Sequence, residues 1–119
     1  MSLQDKMRIV QELVPGRQIT LAHIIANPDE ILYRKLGLDP AVDHTKSAIG
    51  VLTISPHETA IIAADIAIKA SAAELGFVDR FSGTLILTGT VSSVEASFEA
   101  IASYAREKLG FTVCAVTRT

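Results

Sequence analysis

The sequence contains no tryptophan and few other aromatic residues, which are two tyrosines and four phenylalanines. Alanine and isoleucine must therefore fill most of the core, and the small alanine side chain lets neighbouring backbones approach closely, as in packed assemblies. Hydrophobic residues make up 49% of the 119-residue chain, against 20% charged residues. The length fits one domain, and the apolar composition predicts that partner subunits bury part of its surface.

From the sequence we expect no internal disulfide, no signal peptide and no membrane span. A lone Cys114 excludes an internal disulfide, and its apolar context "FTVCAV" predicts a small buried side chain in a reducing compartment. The N-terminal sequence "MSLQDKMRIVQELV" has charges where a signal peptide would be apolar. No uncharged apolar run reaches the length of about 18 residues that marks a membrane helix. With a net charge of −2, we expect neither a nucleic-acid nor a membrane partner.

Catalytic and metal-binding motifs are absent as well. The three histidines, His23, His44 and His57, have no metal-ligand spacing to one another or to Cys114. No glycine-rich phosphate loop or nucleophile elbow occurs, and the paired carboxylates fit helix N-termini. We therefore expect no catalytic residue, no metal and no cofactor.

Three junctions predict helix N-termini. In "IANPDE" and "TISPHE", Asn27 or Ser55 precedes a proline and an acid at N3, and in "SSVE" Ser92 precedes Glu95. The capping side chain accepts from otherwise unpaired N–H groups, and proline has no N–H to satisfy. Helices are predicted to begin near residues 28, 56 and 93, followed by Gly37, Gly76 and Gly110 as C′ residues.

The two longer predicted helices differ in their apolar surfaces. The last helix carries a single apolar stripe from Val94 to Leu109. The helix over 57–74 has isoleucines in several directions, and its only interior charges are the i,i+4 pair Asp65 and Lys69. A helix that is apolar on nearly all sides needs more than one cover, which predicts a second subunit against it.

The predicted strands are rich in β-branched residues and bounded by glycine, proline or polar residues. Segment 6–14 is compatible with a strand or a helix, and the polar segment 38–47 is predicted to be a loop. The order β-α-β-α-β-β-α-β predicts an α+β or α/β sandwich with helices layered on one sheet. The strand candidates are 18–26, 48–54, 77–81, 84–90 and 111–117.

The stretch "AIGVLTISPHETAIIAADIAIKASAAELGFVDRFSGTLILTG", residues 48–89, resembles the shell proteins of bacterial microcompartments. In ordinary subunits of this family, the strand and short helix that correspond to "VPGRQITLAHIIANP", residues 14–28, close the domain. Here they come first, an order typical of the circularly permuted class. The chain is thus similar to the small permuted shell proteins of ethanolamine- or propanediol-utilisation compartments, and the resemblance spans nearly its whole length.

The resemblance implies one permuted, ferredoxin-like BMC domain over 1–119 with a structural, non-catalytic role. Its expected partners are identical copies in a cyclic homohexamer, other shell proteins of the microcompartment in the cytoplasm, and enclosed enzymes or their targeting peptides. Residues 17–119 would form the core. Residues 1–16 would add a strand to a parallel β-barrel over the six-fold axis, which favours a strand for 6–14. The axial barrel residues would be Met7, Ile9, Gln11 and Leu13.

The resemblance also places the turn between two hairpin strands at the six-fold axis, where it lines the pore. In this sequence the turn comprises Asp79, Arg80, Phe81, Ser82 and Gly83. We expect Asp79 and Arg80 to pair within or between subunits, and Phe81 to narrow the opening. Ser82 and Gly83 would offer hydroxyl and N–H groups to small polar metabolites. The axis would be restricted, gated or closed. Alternatively, Gly83 only makes the turn and the charged residues form a surface ion pair.

At the edge of the hexameric tile, Lys69 matches the family's lysine at contacts between hexamers. Asn27 occupies the position of the usual edge arginine, so edge pairing is expected to differ or to be weaker. The alternative is that Lys69 is only the helical partner of Asp65.

Two other functions remain open from the residues alone. A small-molecule-sensing ferredoxin-like oligomer would bind its ligand between the subunits of a dimer or trimer. An enzyme of similar fold would use His23 as a base and would need a pocket around it.

Overall fold

The computed structural model of the protein describes residues 16–38 and 47–119. The predicted sheet with helices packed on it is confirmed, and the last predicted strand is divided into two short ones. The predicted axial segment 6–14, with Met7, Ile9, Gln11 and Leu13, lies outside the described residues, as does most of the predicted loop 38–47. The elements are β1 (Gln18–Ile25), α1 (Glu30–Lys35), β2 (Ala48–Ser55), α2 (Thr59–Ala70), β3 (Glu74–Asp79), β4 (Thr84–Gly89), α3 (Val91–Lys108), β5 (Thr112–Val113) and β6 (Thr117–Arg118).

The strands form one mixed sheet in the order β3-β4-β2-β1-β5, and β6 also pairs with β1. The pairs β1–β2, β2–β4 and β3–β4 are antiparallel, whereas β5 and β6 run parallel to β1. The two short strands lie one after the other along β1, with Thr112 beside Gln18 and Thr117 beside His23. The C-terminal segment thereby covers the β1 edge of the sheet.

The alternation of side chains along each strand gives the sheet two apolar faces. The larger core packs α2 and α3 against one face, where Phe98, Ile101, Leu52 and Leu85 are nearly fully buried. On the opposite face, the short helix α1 brings Tyr33 against residues of β2 and β4 in a smaller cluster. The predicted stripe of the last helix is confirmed, since its members are buried apart from the half-buried Leu109.

Gly50 allows α3 to approach the middle of β2. A Cβ atom at this position would lie 2.4 Å from Cγ1 of Val94 and 2.7 Å from Cζ of Phe98. Real Cβ atoms do not come that close to other atoms, so a larger residue would push the helix away from the sheet. The side chains of Val94 and Phe98 thus pack directly on the backbone of β2 at Gly50.

The predicted N-caps are wrong by a few residues. Asp29 caps α1 by accepting from the N–H of Ile31 at 3.0 Å, in place of Asn27. Thr90 caps α3 by accepting from the N–H of Ser93 at 3.1 Å, in place of Ser92. In both helices, the observed cap directly precedes the first helical residue, so its side chain reaches the free N–H groups that the predicted cap does not contact.

The start of α2 and the extent of β3 also differ from the predictions. Ser55 cannot cap α2 because it remains in β2, paired with Gln18. A turn follows in which the N–H of Thr59 donates to the carbonyl of Pro56 at 2.9 Å. The strand predicted over 77–81 begins at Glu74, because Glu74 and Leu75 already pair with β4. Gly76 therefore lies inside β3, whereas Gly37 and Gly110 follow their helices with φ near +70°, as predicted.

Candidate pore turn and assembly surfaces

The turn 79–83 connects β3 to β4 and is held at its end by Gly83. Gly83 has φ +73°, and its N–H donates to the carbonyl of Asp79 at 2.9 Å. Its carbonyl accepts from the N–H of Ile54 at 2.9 Å. A Cβ atom at Gly83 would lie 2.2 Å from the carbonyl oxygen of Ile54 and 2.9 Å from Cδ2 of His57. Both the backbone angle and the available space therefore require glycine.

The Asp79 carboxylate is directed back into the turn. One oxygen accepts from the N–H of Phe81 at 2.9 Å, and the other accepts from the Ser82 hydroxyl at 2.8 Å. The hydrogen bond from Phe81 and then that from Ser82 hold the pKa of Asp79 below its ordinary value, with a smaller contribution from His57. Ser82 Oγ also lies 3.0 Å from Oγ1 of Thr84.

Arg80 and Phe81 form the exposed tip of the turn. The Phe81 side chain is 77% exposed, and Cζ of Arg80 lies 4.9 Å from the centroid of its ring, within the range of a cation–π contact. The expected pairing of Asp79 with Arg80 is wrong within one subunit. Among ion pairs between described residues, the structure contains the one that joins Lys69 to Asp65 and none at the turn.

The turn offers fewer polar groups to a ligand than the sequence suggested. The expectation that Gly83 supplies an N–H group is wrong, because that N–H donates to Asp79 and Gly83 is buried. The Ser82 hydroxyl is engaged with the Asp79 carboxylate. Aspartate followed three residues later by serine is the spacing that favours such local hydrogen bonds, and this signal could have been used.

The exposed face of α2 carries three isoleucines beside the Asp65–Lys69 ion pair. Ile61, Ile62 and Ile68 are 52%, 46% and 49% exposed, while the alanines between them are mostly buried. We call these three isoleucines the α2 apolar surface. Ile61 also lines a shallow groove with Val78 of β3 and the first residues of the turn, so that this surface reaches the candidate pore turn. These isoleucines of α2, which the sequence predicted to pack against a second subunit, are thus exposed in the single chain.

The two predicted tile-edge residues are both exposed. Nζ of Lys69 donates to Oδ2 of Asp65 at 2.9 Å, and the two side chains are 73% and 56% exposed. Asn27 lies in the bend between β1 and α1. The helical ion pair of the alternative interpretation is therefore present. The tile-edge role of Lys69 and Asn27 stays a prediction.

His23 has a structural explanation. Its Nδ1 lies 2.6 Å from Oγ1 of Thr117, and its Nε2 lies 2.9 Å from Oγ1 of Thr119. Both ring nitrogens are thus engaged with the C-terminal segment. Among residues 16–38 and 47–119, no three His, Cys, Asp or Glu side chains are grouped to hold a metal ion. Within the same residues, no helix has the length and apolar character to cross a membrane.

Comparison with known proteins gives a consistent result. Residues 48–117 match the BMC domain family. The chain is 54% identical to the bacterial microcompartment shell protein PduU of Salmonella typhimurium strain LT2, over 94% of this chain and 93% of that protein. It is 46% identical to the shell protein EutS of Escherichia coli strain K12, over 97% and 99% of the two chains.

A third relative has been solved in several assemblies. The shell protein CutR of Streptococcus intermedius is 52% identical over 94% of this chain and 92% of that protein. The CutR flat hexamer matches with a TM-score of 0.81, covering 89% of this chain and 94% of the solved chain. The CutR screw with a 41.9 Å pitch matches with a TM-score of 0.79, covering 88% and 100%.

Proposed function

The chain belongs to the BMC domain family, and on that basis we propose that it is a structural subunit of a bacterial microcompartment shell. In this proposal it forms a homohexamer, which tiles with other shell proteins into a wall around enzymes. The observation that carries the proposal is the similarity to PduU, which extends over more than nine tenths of both chains. A shell subunit of this kind helps to enclose enzymes and does not itself catalyse a reaction.

The α2 apolar surface supports assembly independently of the comparisons. Three half-exposed isoleucines on one helix are costly in water, since burying apolar surface contributes about 25 cal/mol per Å². An adjoining subunit would remove this surface from water. Interfaces of permanent complexes are large and more apolar than the rest of the surface, as this face is.

The two alternative functions have less support. The relatives are named as shell proteins, which does not favour the small-molecule sensor. For the enzyme, His23 would have to act as a base, but threonine hydroxyls occupy both of its ring nitrogens.

Within the hexamer, we place the turn 79–83 at the six-fold axis. Its exposed position at one end of the β3–β4 hairpin is compatible with lining an opening. The whole chain, 1–119, would form one permuted domain with 17–119 as its core. The N-terminal segment 1–16 would contribute Met7, Ile9, Gln11 and Leu13 to a barrel over the axis. Lys69 and Asn27 would lie at the contacts between neighbouring hexamers.

The test of assembly is native mass spectrometry combined with light scattering at micromolar concentration and negative-stain imaging. We expect a hexameric mass and six-fold rings. Ile62→Asp should weaken the ring, because a carboxylate would have to be buried against the adjoining subunit. Ile31→Asp, at a similarly exposed isoleucine on α1, is the matched comparison. A wild-type monomer at these concentrations would contradict the proposed assembly.

A further inference from the structure

Arg80 is an exposed cation in the candidate pore turn, and the carboxylate of the neighbouring Asp79 does not pair with it. Both oxygens of Asp79 accept hydrogen bonds from within the turn. Arg80 is exposed, stacks on Phe81, and makes no ion pair with any described residue. Its guanidinium group carries five N–H donors and no acceptor. Among the described residues, the tip of the turn is therefore an unpaired guanidinium group beside an aromatic ring.

The turn is held in one conformation by its own hydrogen bonds. Gly83 is bonded to Asp79 and Ile54, and the Asp79 side chain bridges to Phe81 and Ser82. A fixed turn reduces the entropy that a ligand must remove on binding. The same bonds occupy the groups that would otherwise receive a neutral polar ligand, namely the Ser82 hydroxyl and the Gly83 N–H.

From this geometry we propose that Arg80 and Phe81 form an anion site, and that six such sites converge on one small polyvalent anion at the axis of the ring. The convergence rests on the proposed function, which places the turn at the axis. Guanidinium groups bind phosphate and carboxylate oxygens through paired N–H donors. A ligand with several phosphoryl or carboxylate groups can contact several subunits at once. For a neutral diol, the Ser82 hydroxyl proton and the Gly83 N–H are already donated within the turn.

Stacking on Phe81 gives Arg80 a role that a lysine at the same position would not fill. The guanidinium carbon lies 4.9 Å from the centroid of the Phe81 ring, and a planar guanidinium offers paired N–H donors that a lysine ammonium lacks. Arg80→Lys keeps the charge and removes this planar arrangement. It should therefore bind the anion more weakly than the wild type and more strongly than Arg80→Gln.

Inorganic tripolyphosphate is a suitable probe, titrated calorimetrically into the full-length hexamer in metal-free buffer at low and near-physiological ionic strength. We expect one ion per hexamer, with binding weakened by salt. Arg80→Gln should weaken binding by at least about tenfold, since charge-assisted hydrogen bonds are lost. Lys108→Gln removes an exposed lysine on α3 and should leave the affinity unchanged. Glycerol, the neutral control, should give no heat of binding.

The outcomes separate this inference from the proposed function. No binding, or binding that Arg80→Gln leaves unchanged, would overturn the anion site while the hexamer and its shell role stand; pairing of Arg80 with Asp79 of an adjoining subunit would give that result. One ion per subunit, lost in Arg80→Gln, would uphold Arg80 as an anion site and overturn its convergence at the axis. A monomeric mass for the same sample would refute the proposed assembly itself.

Discussion

The carboxylate of Asp79 and the hydroxyl of Ser97 both form hydrogen bonds where a strand or a helix ends. Asp79 accepts from backbone and side chain in the turn after β3. Ser97, fully buried on α3, donates to the carbonyl of Ala67 at 2.7 Å and lies 2.8 Å from Oγ of Ser71. Ala67 is in the last turn of α2, where carbonyl groups lack helical partners. Single polar side chains thus connect elements that apolar packing alone would only bring together.

Ser97→Ala should lower the free energy of unfolding by about 1–3 kcal/mol, because it leaves a buried carbonyl unsatisfied. Urea denaturation at one fixed protein concentration measures this, since association also contributes to the stability of an oligomer. Ser103→Ala, at a half-buried serine on the same helix, is the comparison and should change little. Equal effects of the two substitutions would show that the bond to Ala67 is unimportant.

The pH dependence of stability should report the hydrogen bonds of Asp79. Its pKa is lowered in the folded protein, so its contribution is fully present above the unfolded-state pKa of about 3.9. That contribution is lost as pH falls through the lower folded-state pKa. The melting temperature of wild type should therefore exceed that of Asp79→Asn by a constant amount above about pH 5, and the two should converge in acid. A difference that grows as the pH is lowered would contradict this assignment.

At the scale of elements, the hydrophobic periodicity located the strands and helices, and local capping chemistry decided their ends. The stripe from Val94 to Leu109 was predictable because burial on one face enforces a helical period. The caps at Asp29 and Thr90 were not, because each junction offers several short polar side chains within two or three residues. The turn at 79–83 was located correctly, but its side-chain bonds depend on backbone angles that the residue order does not determine.

Helix α2 carries the prediction about tile edges. Lys69→Ala should impair the formation of sheets from hexamers and leave the hexamer folded, since an exposed ion pair contributes only about 0–1 kcal/mol to stability. Asp65→Asn is the matched variant, because it removes the helical partner and keeps the lysine. Sheets seen by electron microscopy should persist in Asp65→Asn and be reduced in Lys69→Ala. Unchanged sheets in both variants would leave Lys69 as a helical ion-pair partner alone.

At the scale of the whole molecule, the described sheet and helices enclose a larger and a smaller apolar cluster. Family resemblance, more than the physical pattern, predicted the hexamer and the circular permutation. The alternation and capping patterns show that helices lie on a sheet, but they do not specify which surfaces meet another subunit. The apolar residues on nearly all sides of 57–74 did predict a second subunit against that helix, and the structure adds that Ile61, Ile62 and Ile68 are its exposed isoleucines.

Deleting residues 1–12 should leave the hexamer intact and open the axis, because the described core begins after them, with β1 at Gln18. Native mass spectrometry would measure the assembly, and imaging of the rings would show the density over the axis. A truncated chain that no longer folds, as judged by circular dichroism, would mean that the N-terminal segment belongs to the core.

β3 lies at the end of the strand order and is therefore an edge strand of the described sheet. Among the described strands, β3 pairs with β4 alone, so its outer backbone groups could template another strand. A bulge between Leu75 and Phe77 interrupts its register with β4, and bulges twist an edge away from regular pairing. An irregular edge is a poor template for continuous cross-β fibrils. The β3 edge therefore disfavours the strand-by-strand addition of further copies.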